Sequence, residues 1–162
     1  MSETEGLTEQ ITQAAVTVGD LSTISREAVH SIAGEANGGI KEVELAALRA
    51  HILPNRYHRS LGTVGWEGQI RLLESTVAIL GAGGLGGWII EGLARMGVGH
   101  LIIVDDDTFE EDNLNRQALC WEESVGRPKV EAARERVTRI NAAIDITALQ
   151  TWATAENLPE IL

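Results

Sequence analysis

The chain has 162 residues, of which 44% are hydrophobic and 23% charged, proportions that are ordinary for a globular protein of one-domain size. Its formal net charge of −11 disfavours binding to nucleic acid, and the sequence has no polybasic segment for a membrane surface. The single cysteine, Cys120, excludes an intrachain disulfide and any Cys-x-x-Cys zinc site. No apolar run reaches the length of a membrane span or a signal-peptide core, so the expected location is the cytoplasm.

Residues 1–55 are predicted to form an N-terminal helical extension of a second domain, residues 56–162. Apolar residues recur at helical spacing and predict three short helices, with Val18 on the apolar face of the first. The second helix is expected to end at Asn37-Gly38-Gly39, a sequence typical of a left-handed cap. The third is expected over residues 40–53, before a proline that prevents its continuation. Such helices most often pack on the main domain or form a subunit contact.

The strongest pattern lies in residues 76–107 and predicts a strand, a glycine loop, an amphipathic helix, a second strand and an acidic end. Val77–Leu80 is a short apolar run of the kind that a buried parallel strand needs. This order is that of the mononucleotide-binding half of a doubly wound fold, so the predicted fold class is α/β with a Rossmann-like parallel sheet. The inward stripe of the helix is predicted to comprise Leu85, Ile89, Leu93, Ala94 and Val98.

Three glycines of the segment GAGGLG have separate physical roles in such a loop. Gly81 allows the tight exit from the strand, Gly83 removes a Cβ where backbone approaches phosphate, and Gly86 lets the helix pack closely. The helix N-terminus then offers free N–H groups and the positive end of its dipole to a phosphate. Asp105 follows Gly86 by 19 residues, where a carboxylate can accept hydrogen bonds from ribose hydroxyls. The pattern predicts a bound nucleotide without saying which one.

The remaining elements follow from the same periodicities. A helix over residues 63–75 is predicted to lead into the first strand. Beyond the acidic end, the sequence predicts a helix over Val130–Ile140, a third strand over Ile144–Leu149 and the start of a further helix in residues 155–162.

Five motifs extend this pattern at fixed spacing from about Arg56 to Leu149. They are Arg56-Tyr57-His58-Arg59, the glycine loop, Asp105-Asp106-Asp107, Asn113-Leu114-Asn115-Arg116-Gln117 and Gly126-Arg127-Pro128-Lys129. In this order the chain resembles the ThiF/MoeB/HesA family, relatives of the ubiquitin-activating enzymes. The resemblance implies a homodimer that uses ATP and Mg²⁺ to adenylate the C-terminal glycine of a ubiquitin-like sulfur-carrier protein.

The resemblance also implies roles for individual residues. The glycines hold the nucleotide and Asp105 binds the ribose. The Asn113 amide, the Arg116 guanidinium and the Lys129 ammonium hold the phosphates. Arg59 is implied to reach the phosphates of the neighbouring subunit, a role that suits an always-charged, forked side chain. Besides Arg59, the site positions that match the family are Gly81, Gly83, Gly84, Gly86, Asp105, Asp107, Asn113, Arg116, Gln117 and Lys129.

Family members continue beyond this point with a fourth strand that carries an Mg²⁺-binding aspartate, so we expect a piece of a longer protein with its first strand at an open edge. Two other functions fit part of the pattern. An NAD-dependent oxidoreductase would use the same glycine loop and acid, but it does not need the cationic set of Asn113–Gln117 and Lys129. A non-catalytic dimerising module would keep the fold without the reaction.

Overall fold

The computed structural model describes residues 3–35 and 39–161. The chain divides into two compact units, Met1–Glu74 and Ser75–Leu162. The predicted cap residues Asn37 and Gly38 lie outside the described residues. Among the helices that the structure describes, none is both long and apolar enough to cross a membrane.

The first unit contains the three predicted helices and, in addition, a small sheet. In this sheet β1 pairs antiparallel with β2, and β2 pairs parallel with β3. The elements are, in chain order, α1 (Glu3–Ala14), β1 (Val16–Val18), β2 (Leu21–Ile24), α2 (Arg26–Glu35), α3 (Ile40–Arg49), β3 (Ile52–Pro54) and α4 (Leu61–Glu74). The helix predicted over residues 63–75 is α4, and Gly65 kinks it.

Two expectations for this unit were wrong. Val18 lies in β1 and is 70% exposed, because β-branched residues on both sides of Gly19-Asp20 form a hairpin instead of extending the first helix. The third helix ends at Arg49, and His51 then takes a left-handed conformation with φ 57°. Residues 52–54 therefore leave the helix and pair with β2 as a strand.

A buried ionic cluster fixes the chain that follows β3. Glu44 of α3 is 1% exposed and accepts a 2.8 Å hydrogen bond from the Tyr57 hydroxyl; its Oε1 lies 3.1 Å from Arg56 Nε. Burial raises the pKa of Glu44, and the Arg56 charge opposes that rise. Residues 56–74, which the sequence pattern places in the second domain, thus pack with the first unit.

The second unit has the predicted Rossmann-like order. Its elements are β4 (Thr76–Leu80), α5 (Gly84–Met96), β5 (His100–Val104), α6 (Lys129–Ile140), β6 (Asp145–Leu149) and α7 (Leu158–Ile161). The three strands are parallel in the order β4-β5-β6, so the carboxyl ends of all three lie at one edge. Among the described strands, β4 is at an edge of the sheet, as expected from the sequence.

The inward stripe predicted for α5 was wrong at Leu85 and Ile89, while Ala94 and Val98 are buried as predicted. Leu85 is 77% exposed and Ile89 is 43% exposed, whereas the buried face consists of Gly87, Ile90 and Ala94. Apolar residues occur on most sides of this helix, so periodicity alone does not fix its rotation. The rotation of α5 is fixed instead by the close packing of Gly87 against the segment between β5 and α6. A Cβ on Gly87 would lie 3.3 Å from the Leu119 Cγ.

Glu91 links α5 to α6 by accepting two 2.8 Å hydrogen bonds from Arg136, and it also accepts bonds from Nε and Nη2 of Arg95 on its own helix. The bonds from Arg136 contribute most to lowering the pKa of Glu91 from 4.5 to about 2. A depressed carboxyl pKa contributes stability that is complete above the unfolded value and is lost as the pH falls toward the folded value.

We therefore expect Glu91→Gln to reduce the free energy of unfolding at pH 7 by about 1–2 kcal/mol, since the 41% exposed Arg136 side chain leaves the pair partly screened. The deficit should shrink as the pH falls from 4.5 toward 2, which urea unfolding at several pH values would measure. The control is Glu131→Gln, whose exposed pair with Arg134 spans 3.7 Å. A deficit that is independent of pH would contradict an electrostatic origin.

Candidate functional site

The carboxylate of Asp105 ties the glycine loop to the acidic end of β5. Its Oδ2 accepts a 2.6 Å hydrogen bond from the Ala82 N–H, and its Oδ1 accepts a 2.9 Å bond from the Asp107 N–H. The Gly81 N–H donates to the Val104 carbonyl at 2.7 Å, which continues the pairing of β4 and β5 into the loop. Asp105 thus lies where the sequence pattern places it and holds two segments of the site in fixed relation.

The glycine loop is so closely packed against the start of α5 that one position excludes any side chain. A Cβ on Gly86 would lie 1.8 Å from the Gly81 carbonyl oxygen, well inside any tolerable contact. A Cβ on Gly83 would lie 3.6 Å from Gln117 Oε1, and one on Gly84 would meet nothing within 4 Å. The requirement at Gly86 therefore comes from the loop's own backbone.

Five of the predicted residues line one polar cavity of about 310 Å³ beside this loop. One of the residues that line it is Lys129, the first residue of α6, whose side chain is only 8% exposed. Lys129 Nζ lies 2.9 Å from Asp107 Oδ2 and 5.9 Å from the centre of the Phe109 ring. The residues lining the cavity are Asp107, Thr108, Glu110, Asp112, Asn113, Arg116, Gln117 and Lys129.

Asn113 and Arg116 share a 3-10 turn, Glu111–Asn115 with Arg116 as its C-terminal cap, as the three-residue spacing predicts. The Asn113 side chain is buried within this turn: Oδ1 accepts from the Glu110 N–H at 3.3 Å, and Nδ2 donates to Asp112 at 2.6 Å. Arg116 uses Nη1 to bond the Asp112 carbonyl and Asn115 Oδ1. Its Nε and Nη2 groups stay available as donors to a ligand, and Asn113 mainly shapes the turn.

Gln117 provides a direct test of whether a polar ligand fits this cavity. It is 7% exposed, and its Oε1 is the one buried side-chain nitrogen or oxygen atom without a hydrogen-bond partner in residues 3–35 and 39–161. The atom is the nearest neighbour that a Cβ on Gly83 would meet. A buried amide oxygen without a partner is costly, and rotation of the amide by 180° would present Nε2 as a donor to a phosphate on the glycine loop.

A second cavity, of about 300 Å³, lies at the carboxyl ends of the strands and shares Asp107 with the first. It is lined by Leu80, Gly81, Val104, Asp105, Asp106, Asp107, Thr151, Trp152 and Ala153. The sequence interpretation missed Trp152. An aromatic residue three positions after a predicted parallel strand was the available signal, because ligands of open α/β sheets bind at the carboxyl ends of strands.

Arg59 lies in the unit Met1–Glu74 and is exposed. Its role toward a neighbouring subunit stays a prediction. The part of the chain that the structure describes contains no group of three or more His, Cys, Asp or Glu side chains that could hold a metal ion.

Residues 57–162, about two thirds of the chain, match the ThiF family. The chain belongs to the ThiF family. This finding confirms the resemblance that the five motifs predict, and it agrees with the α/β architecture of the second unit.

Two relatives from microorganisms illustrate the similarity. The chain is 41% identical over 110 residues to the SAMP-activating enzyme E1 of Haloferax volcanii and 42% identical over 110 residues to a sulfur carrier protein adenylyltransferase of Thermus thermophilus. Each match covers 67% of this chain and 41% of the relative. The chain therefore spans about two fifths of the length of these relatives.

Among solved structures, the chain is similar to the tRNA N6-threonylcarbamoyladenosine dehydratase of E. coli, crystallised in complex with ATP. The TM-score is 0.63 at 28% sequence identity, and the match covers 65% of this chain and 43% of that protein. The similarity agrees with an α/β fold that contains a parallel sheet.

Proposed function

We propose that this protein takes part in ATP-dependent adenylation of the C-terminal carboxylate of a ubiquitin-like sulfur-carrier protein. The observation that carries the proposal is the polar cavity beside the glycine loop, where Lys129, Arg116 and Gln117, whose Oε1 has no hydrogen-bond partner, converge. A guanidinium, an ammonium and an amide that line one cavity can bind the phosphates of a nucleoside triphosphate. The names of the two microbial relatives, an E1 and a sulfur-carrier adenylyltransferase, support the reaction and the class of partner.

In the proposed reaction, a carboxylate oxygen of the carrier attacks the α-phosphorus of ATP. The bond between the α-phosphorus and the oxygen that bridges to the β-phosphate breaks, and pyrophosphate leaves with that electron pair. Lys129 and Arg116 stabilise the negative charge that develops on the α-phosphate and the leaving group. The product is an acyl adenylate at the carrier's C-terminal glycine, which is activated toward a sulfur nucleophile.

The proposal also assigns the other matched residues. Asp105 accepts hydrogen bonds from the ribose with lone pairs that its two backbone donors leave free. Asp107 holds the Lys129 ammonium at the cavity, since the two groups are 2.9 Å apart. Arg59 contacts the nucleotide phosphates of the neighbouring subunit in a homodimer. Mg²⁺ enters with the substrate as Mg-ATP. The proposed location of the protein is the cytoplasm.

The acidic charge favours a protein carrier over tRNA as the acceptor of the adenylyl group. A net charge of −11 repels a polyphosphate backbone, whereas the C-terminal tail of a carrier needs only local contacts. The two cations of the polar cavity, Arg116 and Lys129, likewise favour ATP over NAD, since binding of a dinucleotide does not need an ammonium and a guanidinium beyond the glycine loop.

A thermal shift measurement with Mg-ATP and, separately, with NAD tests the nucleotide. A ligand at about 100 times its dissociation constant adds about 2.7 kcal/mol to the free energy of unfolding. We expect Mg-ATP to raise the melting temperature and NAD to leave it unchanged. Stabilisation by NAD alone would contradict the proposal.

The reaction itself is tested by exchange of labelled pyrophosphate into ATP in the presence of candidate sulfur carriers. We expect exchange only when a carrier with a free C-terminal glycine is present, and none when that glycine is removed. ATP binding without exchange for any carrier would favour the non-catalytic module of the same fold.

A further inference from the structure

The cavity at the carboxyl ends of the strands has an aromatic wall to which the family motifs assign no role. Trp152 is 69% exposed and lines this cavity together with the apolar side chains of Leu80 and Val104. Exposure of a tryptophan does not by itself indicate a binding site, because Trp88 on α5 is similarly exposed at 63%. Trp88 does not line either cavity, whereas Trp152 shares its cavity with Gly81 and Asp105.

The loop that carries Trp152 is held by hydrogen bonds and is therefore preorganised. Asn157 Nδ2 donates to the Trp152 carbonyl at 2.9 Å, and Asn157 Oδ1 accepts from the Thr154 N–H at 2.8 Å. The Thr151 N–H donates to the Leu149 carbonyl at 3.0 Å directly after β6. The backbone that presents the indole is thus fixed on both sides of the residue, which lowers the entropy cost of binding a ligand against the ring.

The residues that line the two cavities correspond, in order, to the phosphates, the ribose and the base of a nucleotide. The phosphate groups match Lys129 and Arg116 of the polar cavity, and Asp105 lines the second cavity, where a ribose would follow. The base then falls in the cavity that Trp152 lines, and its flat π-face matches an indole. Asp107, which lines both cavities, marks the point at which they meet.

We propose that Trp152 is a nucleobase-binding residue whose indole stacks on the purine of the bound nucleotide. The inference rests on the proposed function for the presence of a nucleotide, but the wall and its residue are additional to the family motifs. Stacking is tolerant of base identity, so Trp152 contributes affinity for purine nucleotides over inorganic polyphosphates rather than selecting adenine over guanine.

The test compares the parent 162-residue chain with Trp152→Ala, Trp152→Phe and the control Trp88→Ala in calorimetric titrations with ATP and with inorganic tripolyphosphate. Loss of one stacking partner should weaken ATP binding about tenfold in Trp152→Ala. Phenylalanine should retain most of the affinity, the control should match the parent, and the tripolyphosphate affinity should stay the same in all four proteins.

Intrinsic fluorescence gives a second readout that a merely structural role would not change. The chain has four tryptophans, and stacking should quench the emission of Trp152 when ATP binds. In Trp152→Phe the quenching should disappear although ATP still binds, while Trp88→Ala should keep it.

The outcomes separate this inference from the proposed function. If the parent binds ATP and Trp152→Ala binds it equally well, Trp152 has no such role and the proposed function stands. If Trp152→Ala loses affinity for ATP and tripolyphosphate alike, the residue is structural and the inference is overturned. If the parent binds tripolyphosphate but not ATP, or binds neither, both proposals are overturned.

Discussion

Replacement of Lys129 by alanine is expected to reduce carrier-dependent pyrophosphate exchange by about 10²–10³-fold, the usual effect of removing one preorganised group that stabilises developing charge. Three features position Lys129: the residue begins α6, its Nζ lies 2.9 Å from Asp107 Oδ2, and the same atom lies over the Phe109 ring. An ammonium held in this way needs little reorganisation when charge develops on the phosphates. Its loss should therefore lower kcat more than it raises the dissociation constant for ATP.

The matched control for this variant is Arg134→Ala, which removes a cation from the exposed face of the same helix, where Arg134 has only a loose pair with Glu131. The control should retain parental exchange. Lys129→Arg should recover part of the activity, because it keeps the charge but not the compact shape of the ammonium. Exchange at the parental rate in Lys129→Ala, with the variant folded by circular dichroism, would remove Lys129 from the proposed mechanism.

The second unit could be predicted from the sequence because its determinants are local. An apolar run that ends at Gly81 forms β4, and the acid after the next apolar run lies beside the glycine loop, where Asp105 accepts a hydrogen bond from the Ala82 N–H. The spacing of Asn113 and Arg116 likewise sets both on one turn. The signal for each element lies within it or directly beside it, although the Ala82–Asp105 bond itself joins residues 23 positions apart.

Features that depend on distant contacts could not be predicted in this way. The rotation of α5 is set by the approach of Gly87 to Leu119, 32 residues further along the chain, and the periodicity of an apolar helix contains no trace of that contact. The pairing of β2 with β3 joins residues about 30 positions apart, and a three-residue strand such as Ile52–Pro54 has too short a pattern to be recognised. Trp152 belongs to the site only because β6 ends beside β5.

The pairing of Asp107 with Lys129 is intermediate between these cases. Both residues could be named from motifs, but the 2.9 Å contact between residues 22 positions apart arises only when the loop between them folds. That loop is closed by the Lys129 N–H, which donates to the Asp107 carbonyl at 3.0 Å, and by the Phe109 N–H, which donates to the Arg127 carbonyl at 3.0 Å. The motifs thus predict the chemical groups, and the loop backbone supplies their geometry.

Gly86→Ala is expected to be the most destabilising single-methyl substitution in the glycine loop, with a loss of about 3 kcal/mol or more in the free energy of unfolding. The new Cβ would lie 1.8 Å from the Gly81 carbonyl oxygen and 2.8 Å from its carbon, and backbone atoms cannot move aside as a flexible side chain can. Relief requires that the loop leave α5, which would also break the 2.6 Å bond from the Ala82 N–H to Asp105.

Gly84→Ala is the matched control for this substitution, because it adds the same methyl group two residues earlier in a position where nothing lies within 4 Å. Gly84 is the first residue of α5, so alanine there should leave the stability unchanged or raise it slightly through its better helix propensity. Urea unfolding of both variants measures the difference. Equal stabilities would mean that the loop relaxes at little cost, and the contact between Gly86 and Gly81 would then not be the reason that a glycine is needed there.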